Sequence, residues 1–291
     1  MKNKKIEFIA EVSSNHSKDL DRCLKFVDIS ADIGCSAVKF QLFRIDQLFA
    51  KDAIDRYEEI KLRKNWELPL SFIPNIANRC KEKNIQFGCT PFYLDAVDEL
   101  YDYVDFFKIA SYELLWDDLL IKCAKTKKPI MISTGMADMS EISHATKILR
   151  LNGCSNPRIF HCTSSYPTPP GEANLSAIET IRSKTMCDVG WSDHTVNNGV
   201  IHRAIHKWGS TFIEFHLDIE GKGEEFSSGH CWLPSQMKEL IHNINDSMIS
   251  DGNGVKEPVN SELPDLPWRT DPSDGLRPFK SIRDQLKKDI N

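Results

Sequence analysis

Three things are scarce in this 291-residue sequence: long apolar runs, surplus positive charge and paired cysteine motifs. Without an uninterrupted apolar segment of about 20 residues there is no candidate membrane span. The basic opening, MKNKKIEFIAEV, has an apolar stretch too short for a signal peptide and broken by Glu7 and Glu11, so it reads as a first strand. Lys and Arg number 37 against 42 Asp and Glu, a net charge of −5, so neither nucleic acid nor an anionic membrane is an expected partner. Nine cysteines, an odd number without C-x-x-C spacing, fit reduced thiols in cytoplasm better than a disulfide framework or a zinc site. The first turn also lacks the G-x-G-x-x-G loop of a dinucleotide-binding doubly wound sheet.

What is present is alternation. Apolar runs occur at 6–12, 37–43, 85–92, 106–111, 129–135, 158–165, 188–193 and 212–218, short and mostly rich in Ile, Val or Phe, as strands buried on both faces are. Amphipathic segments lie between them. Residues 20–34 place Leu20, Leu24, Val27 and Ala31 along one helical side, and several segments stop at glycine, as at Gly34, Gly153 and Gly209. Eight strand–helix units predict an α/β fold, a parallel (β/α)8 TIM barrel over residues 1–250. Residues 251–291, rich in Pro, Gly and Asp, predict an irregular extension ending in a short basic helix.

Active sites of such barrels sit at the C-terminal strand ends. The polar residues there include Glu11, Asn15, Lys39, Gln41, Thr90, Lys108, Ser111, Ser133, Tyr166, Ser192, His194, Glu214 and His216. Two lysines inside Ile/Phe-rich strands need an anionic partner, either a protein carboxylate or a ligand phosphate or carboxylate. His194 and His216 at adjacent strand ends, with Asp193 and Glu214 as supporting partners, point to a divalent metal such as Mn2+, Zn2+ or Fe2+. Cys89 and Cys162 have no base placed to activate them, and packing accounts for both.

Eight segments in order, AEVSSNH (10–16), AVKFQ (37–41), TPF (90–92), FKIAS (107–111), ISTGMA (132–137), HCTSSYPTPP (161–170), GWSDHT (190–195) and IEFH (213–216), together resemble the sialic acid synthase family. The resemblance implies a transferase that condenses phosphoenolpyruvate with the aldehyde of an open-chain amino sugar, giving an α-keto sugar acid and phosphate. It implies His194 and His216 as ligands of Mn2+ or Mg2+, and Lys39, Thr90, Lys108, Ser111, Ser133 and Ser192 around phosphoenolpyruvate. Glu11, Glu214 and Tyr166 would face the reacting carbons, and Gln41 and Asn15 the sugar. A cytoplasmic homodimer serving capsule or surface-polysaccharide synthesis is the implied setting. A metal-dependent aldolase on the same scaffold and a non-catalytic sugar-binding relative are the alternatives.

The chain departs from the family's pattern in three places. The loop after the last strand, usually similar to GPDHKASL, is EEFSSGHCWLP (224–234), with Gly229 where an aspartate precedes the histidine. SSYP places Ser164 where an asparagine is usual. The family's C-terminal antifreeze-like domain, which supplies an arginine to a partner's sugar site, is not expected here; the extension reads either as a surface wrap anchored by Trp268 and Phe279 or as a replacement that brings Arg269 or Arg277 to a barrel mouth.

Overall fold

The structure, a computed structural model, describes residues 5–288. Two compact units divide the chain, one up to Asp246 and one from Ser247 onward. The first is a closed parallel barrel of strands β1 (Glu7–Glu11), β2 (Ala37–Leu42), β3 (Gln86–Pro91), β4 (Phe106–Ile109), β5 (Ile130–Ser133), β6 (Arg158–His161), β7 (Val189–Asp193) and β8 (Phe212–Leu217). They pair in sequence order, and β8 pairs back onto β1. The expected TIM barrel is therefore the observed fold.

Side chains alternate along each strand, and the register makes the alternation coherent around the barrel. Outward residues such as Phe8, Val38, Phe87, Phe107, Ile132, Ile159, Trp191 and Ile213 join the main core under the surrounding helices. Inward residues form a separate plug: Ile9, Ala37, Phe106, Met131, Phe160 and Phe212. Below the plug, Arg158 is bonded to Glu7 at 2.8 Å and lies 4.0 Å from the Phe212 ring. Two residues above it, the same inward row becomes Glu11, Lys39, Lys108, Ser133 and Glu214, all buried. One step along each strand thus converts an apolar floor into a polar site.

The helices differ from expectation in detail. Helix Leu20–Asp32 starts at Asp19, whose carboxylate accepts from Arg22 N at 3.2 Å. Its buried face is Cys23, Phe26, Val27 and Ser30, rotated from the predicted face of Leu20, Leu24, Val27 and Ala31. Phe26, the largest apolar side chain of the segment, centres the face and leaves the two leucines at its edge. Between β2 and β3 the chain forms short helices at Ile45–Leu48, Lys51–Arg56 and Glu58–Leu62, which no long periodicity announced. After β8 come a four-residue helix, Glu224–Ser227, and a short strand β9 (Cys231–Trp232) that pairs with β8. The second unit holds a 3-10 run, Asn260–Trp268, and helix Lys280–Lys288. No described helix is long and apolar enough to cross a membrane.

Gly190, on β7, has no room for a side chain: a methyl there would overlap the ring and the carbonyl oxygen of Phe212. The carbonyl belongs to the barrel wall and cannot step aside. Gly190→Ala is therefore expected to cost about 1–3 kcal/mol, the range for overpacking a filled core. Thermal melting checks this, and an unchanged Tm would show that the plug yields freely.

Candidate active site

Four charges occupy the inward layer above the plug. Lys39 is ion-paired with Glu11 and lies 3.9 Å from Glu214 Oε2, and Lys108 donates to Glu214 Oε1 at 3.0 Å. The register explains the grouping: Glu11 is level with Lys39 on β2 and with His216 on β8, so three strand ends converge. Burial works to discharge Lys39, but the carboxylates of Glu11 and Glu214 overcome it and raise its pKa above the ordinary lysine value. At Lys108 burial prevails, helped by the Lys39 charge, and the pKa falls despite Glu214. Burial alone would raise the Glu214 pKa; the two ammonium groups outweigh it and hold that carboxyl below its usual range.

Hydroxyls and amides surround these charges. Thr90 Oγ1 accepts from Lys39 at 3.2 Å, and Ser192 donates to Glu214 Oε1 at 2.9 Å. Gln41 Nε2 donates to Glu11 Oε1 at 2.7 Å. Ser111 Oγ accepts from the Gly135 backbone N–H at 3.0 Å, and Ser133 is buried at the end of β5. Gly135 has no Cβ to fill the space between Ser111, Cys162 and Ser164. Lysines, hydroxyls and a backbone amide at five strand ends suit a small polyanion.

Both predicted histidines lie at this mouth, buried, with ring centroids 5.4 Å apart. His194 Nδ1–H donates to the Thr163 carbonyl at 2.8 Å, which leaves Nε2 with its lone pair. Burial, then the neighbouring His216, pushes the His194 pKa down to about 3, so the ring is neutral. Tyr166, partly exposed, stands over the group, its ring 4.2 Å from His194 and 5.1 Å from His230.

The supporting partners are not the predicted ones. Asp193 faces away from His194, because neighbouring strand residues point to opposite sides. It accepts instead from Trp191 Nε1, Trp232 Nε1, Thr195 Oγ1 and Val196 N. Glu214 belongs to the lysines, one layer below. The carboxylate beside His216 is Glu225, whose Oε2 accepts from Nδ1 at 3.0 Å. Glu225 Oε1 accepts from the Ser14 backbone at 3.0 Å and hydroxyl at 2.6 Å. His230 Nε2 lies 3.5 Å from Glu225 Oε2. Glu225 and His230 escaped the sequence reading because they stand on an irregular Gly/Ser-rich loop; the only signal was that this loop departs from the family's pattern.

Asn15 donates to the Leu217 carbonyl at 3.0 Å and packs beside Cys231, so its amide holds the loop base. Arg269 and Arg277 belong to the second unit: Arg269 lies 5.9 Å from the Phe279 ring, and Arg277 Nε donates to Thr270 Oγ1 at 3.2 Å. Beside the charged layer opens a cavity of about 520 Å³, lined by Ser13, Gln41 and Glu225 and by apolar residues including Phe43 and Trp66. Glu113 also lines it; burial raises its carboxyl pKa to about 7, and its Oε2 has no hydrogen-bond partner among the described residues.

Comparison with known proteins agrees with this fold. The NeuB family model matches residues 26–256. An uncharacterized protein of Methanocaldococcus jannaschii is 36% identical over 87% of this chain and 74% of its own. The N,N'-diacetyllegionaminic acid synthase of Campylobacter jejuni is 33% identical, covering 89% of this chain and 81% of its own. Among solved structures, the N-acetylneuraminic acid synthetase of Leptospira borgpetersenii superposes with a TM-score of 0.78 at 29% identity, covering 94% of each chain. Fold and sequence match agree, and the chain belongs to the NeuB family.

Proposed function

We propose that the protein condenses phosphoenolpyruvate with the aldehyde of an open-chain amino sugar, releasing phosphate and forming a nonulosonic α-keto acid. The observation that carries this is the pairing at one barrel mouth of a buried two-lysine, multi-hydroxyl pocket with two histidines. The names of the relatives support the product class.

Lys39, Thr90, Lys108, Ser111, Ser133 and Ser192 hold the phosphate and carboxylate of phosphoenolpyruvate. In the resting site the two lysine charges are balanced by Glu11 and Glu214, so the arriving anion shares ammonium groups that are already desolvated. Gln41 and the adjoining cavity receive the sugar, with Tyr166 over the reacting end. A divalent cation, Mn2+ or Mg2+, fits His194, which is neutral with Nε2 free, and the neighbouring His216; it would supply Lewis-acid polarisation of the aldehyde oxygen. As carbon 3 of phosphoenolpyruvate bonds to the aldehyde carbon, positive charge develops at carbon 2, and the carboxylates of Glu11 and Glu214 oppose it. One of them takes a proton from the water that adds at carbon 2 and passes one on to the aldehyde oxygen; the hydroxyl left on carbon 2 gives its proton to the departing phosphate as the carbon–oxygen bond breaks, leaving the ketone.

Incubation with phosphoenolpyruvate, Mn2+ and a panel of aldoses is expected to release phosphate only when all are present. Glu11→Gln and Glu214→Gln should each lower kcat by roughly 10²–10⁴-fold, the usual contribution of a proton-transfer group. Wild-type turnover in both variants would remove them from the chemistry, with melting curves showing that each variant is folded.

The pH dependence has a definite sign. Lys108 must be protonated to hold the anion, and burial lowers its pKa below the ordinary lysine value. Affinity for phosphoenolpyruvate should be complete below that depressed pKa and decline as pH rises through it. Measuring KM for phosphoenolpyruvate against pH tests this, since a flat alkaline profile up to the ordinary lysine range would exclude Lys108 as the anion's partner.

A further inference from the structure

The loop that departs from the family's pattern delivers an unusual set of side chains to His216. One donor atom from each of His216, Glu225, His230 and Cys231 lies within 4.8 Å of the others. Around Glu225 Oε2 stand His216 Nδ1 at 3.0 Å, His230 Nε2 at 3.5 Å and Cys231 Sγ at 3.9 Å. Ligands of a tetrahedral ion, each about 2.0–2.3 Å from it, are themselves ~3.3–3.8 Å apart, and these separations fall near that range.

Hydrogen bonding alone accounts poorly for the cluster. Two imidazoles and a thiol converge on one carboxylate oxygen, which offers only two lone pairs. The other oxygen of Glu225 is already taken by Ser14, which fixes the carboxylate and presents Oε2 to the cluster. His230 Nδ1 is buried without a hydrogen-bond partner among the described residues, whose polar groups this ring meets through Nε2. Cys231 is level with His216 on the paired strand, so the two side chains share a face.

We propose that His216, Glu225, His230 and Cys231 form a four-ligand site for a thiophilic transition-metal cation of the Zn2+ type, which pins residues 218–232 over the barrel mouth. A nitrogen, oxygen and thiolate set selects such ions over Mg2+. With four protein ligands the site is closed, so its role is to hold structure. Binding displaces the Cys231 thiol proton to solvent. The site goes beyond the reaction proposed above and shares only His216 with it, through Nδ1. One neutral imidazole offers one lone pair, so an ion here competes with an ion held by His194 and His216.

The test uses the metal-stripped full chain titrated with Co2+. Expected is one equivalent of bound cobalt with visible bands and a sulfur-to-cobalt charge-transfer band in the near ultraviolet. Cys231→Ser should abolish that band. Glu225→Gln and His230→Gln should weaken binding by more than the roughly 10–100-fold that an outer-shell partner costs. His194→Ala should leave the charge-transfer band intact. A wild-type spectrum without the band, a band that survives Cys231→Ser, or cobalt binding abolished by His194→Ala would each overturn the proposal. Circular dichroism confirms that the variants are folded. Because the two ions compete for His216, phosphate release is assayed separately, on the stripped chain given Mn2+ alone: no release there dismisses the reaction and keeps this site, whereas release there from a chain that shows no cobalt band does the reverse.

Discussion

Two ammonium groups buried beside two carboxylates dominate the energetics of this barrel. Each ion would cost several kcal/mol to take out of water alone, so none of Lys39, Lys108, Glu11 and Glu214 can be considered apart from the others. Glu214 sits between both lysines, and Glu11 is tied to Lys39 and Gln41. The cluster is neutral in sum but uneven: Lys39 is held charged, while Lys108 is pressed toward losing its proton. A pocket with one secure ammonium and one under-compensated ammonium is suited to an anion, which relieves the second lysine. The apolar plug of Ile9, Ala37, Phe106, Met131, Phe160 and Phe212 below contributes by keeping water from reaching the charges through the floor.

The strand framework was legible because its signals are local and periodic. Buried parallel strands are short apolar runs, and lysines or glutamates inside them have no structural reason to be there unless they meet. The two-residue period then shows which polar residues meet: Phe106 to Lys108, Phe212 to Glu214 to His216, Ile9 to Glu11. The same period carried information that the sequence reading did not use. Asp193 and His194 are neighbours along a strand end, so they cannot face the same side, and the structure gives Asp193 to two tryptophans.

What stayed illegible lies where periodicity is absent. The short helices between β2 and β3 are four to six residues long, too brief for an amphipathic stripe, yet the first of them, Ile45–Leu48, walls the cavity beside Gln41. The segment after β8 consists of a four-residue helix, turns and a two-residue strand. Its residues reach the site through a pairing with β8 and through Glu225, and neither follows from local propensity. Glu113 was missed for a different reason: a single carboxyl after a strand is unremarkable until its surroundings are known to be apolar.

The two halves of the mouth are therefore held by different means. The anion-binding half stands on strands whose positions the barrel's closure determines. The histidine half depends on Glu225, a nearly buried carboxylate held far below the ordinary pKa despite its burial, by hydrogen bonds from His216 and His230. Because that carboxylate also binds the Ser14 turn after β1, the loop cannot lift without breaking contacts to both β1 and β8 ends. Removing it would leave His216 without its partner and expose the mouth to water, weakening the electrostatics on which the lysine half depends. The loop is thus part of the site's low-dielectric enclosure, and residues 218–232 determine how the strand-borne charges act.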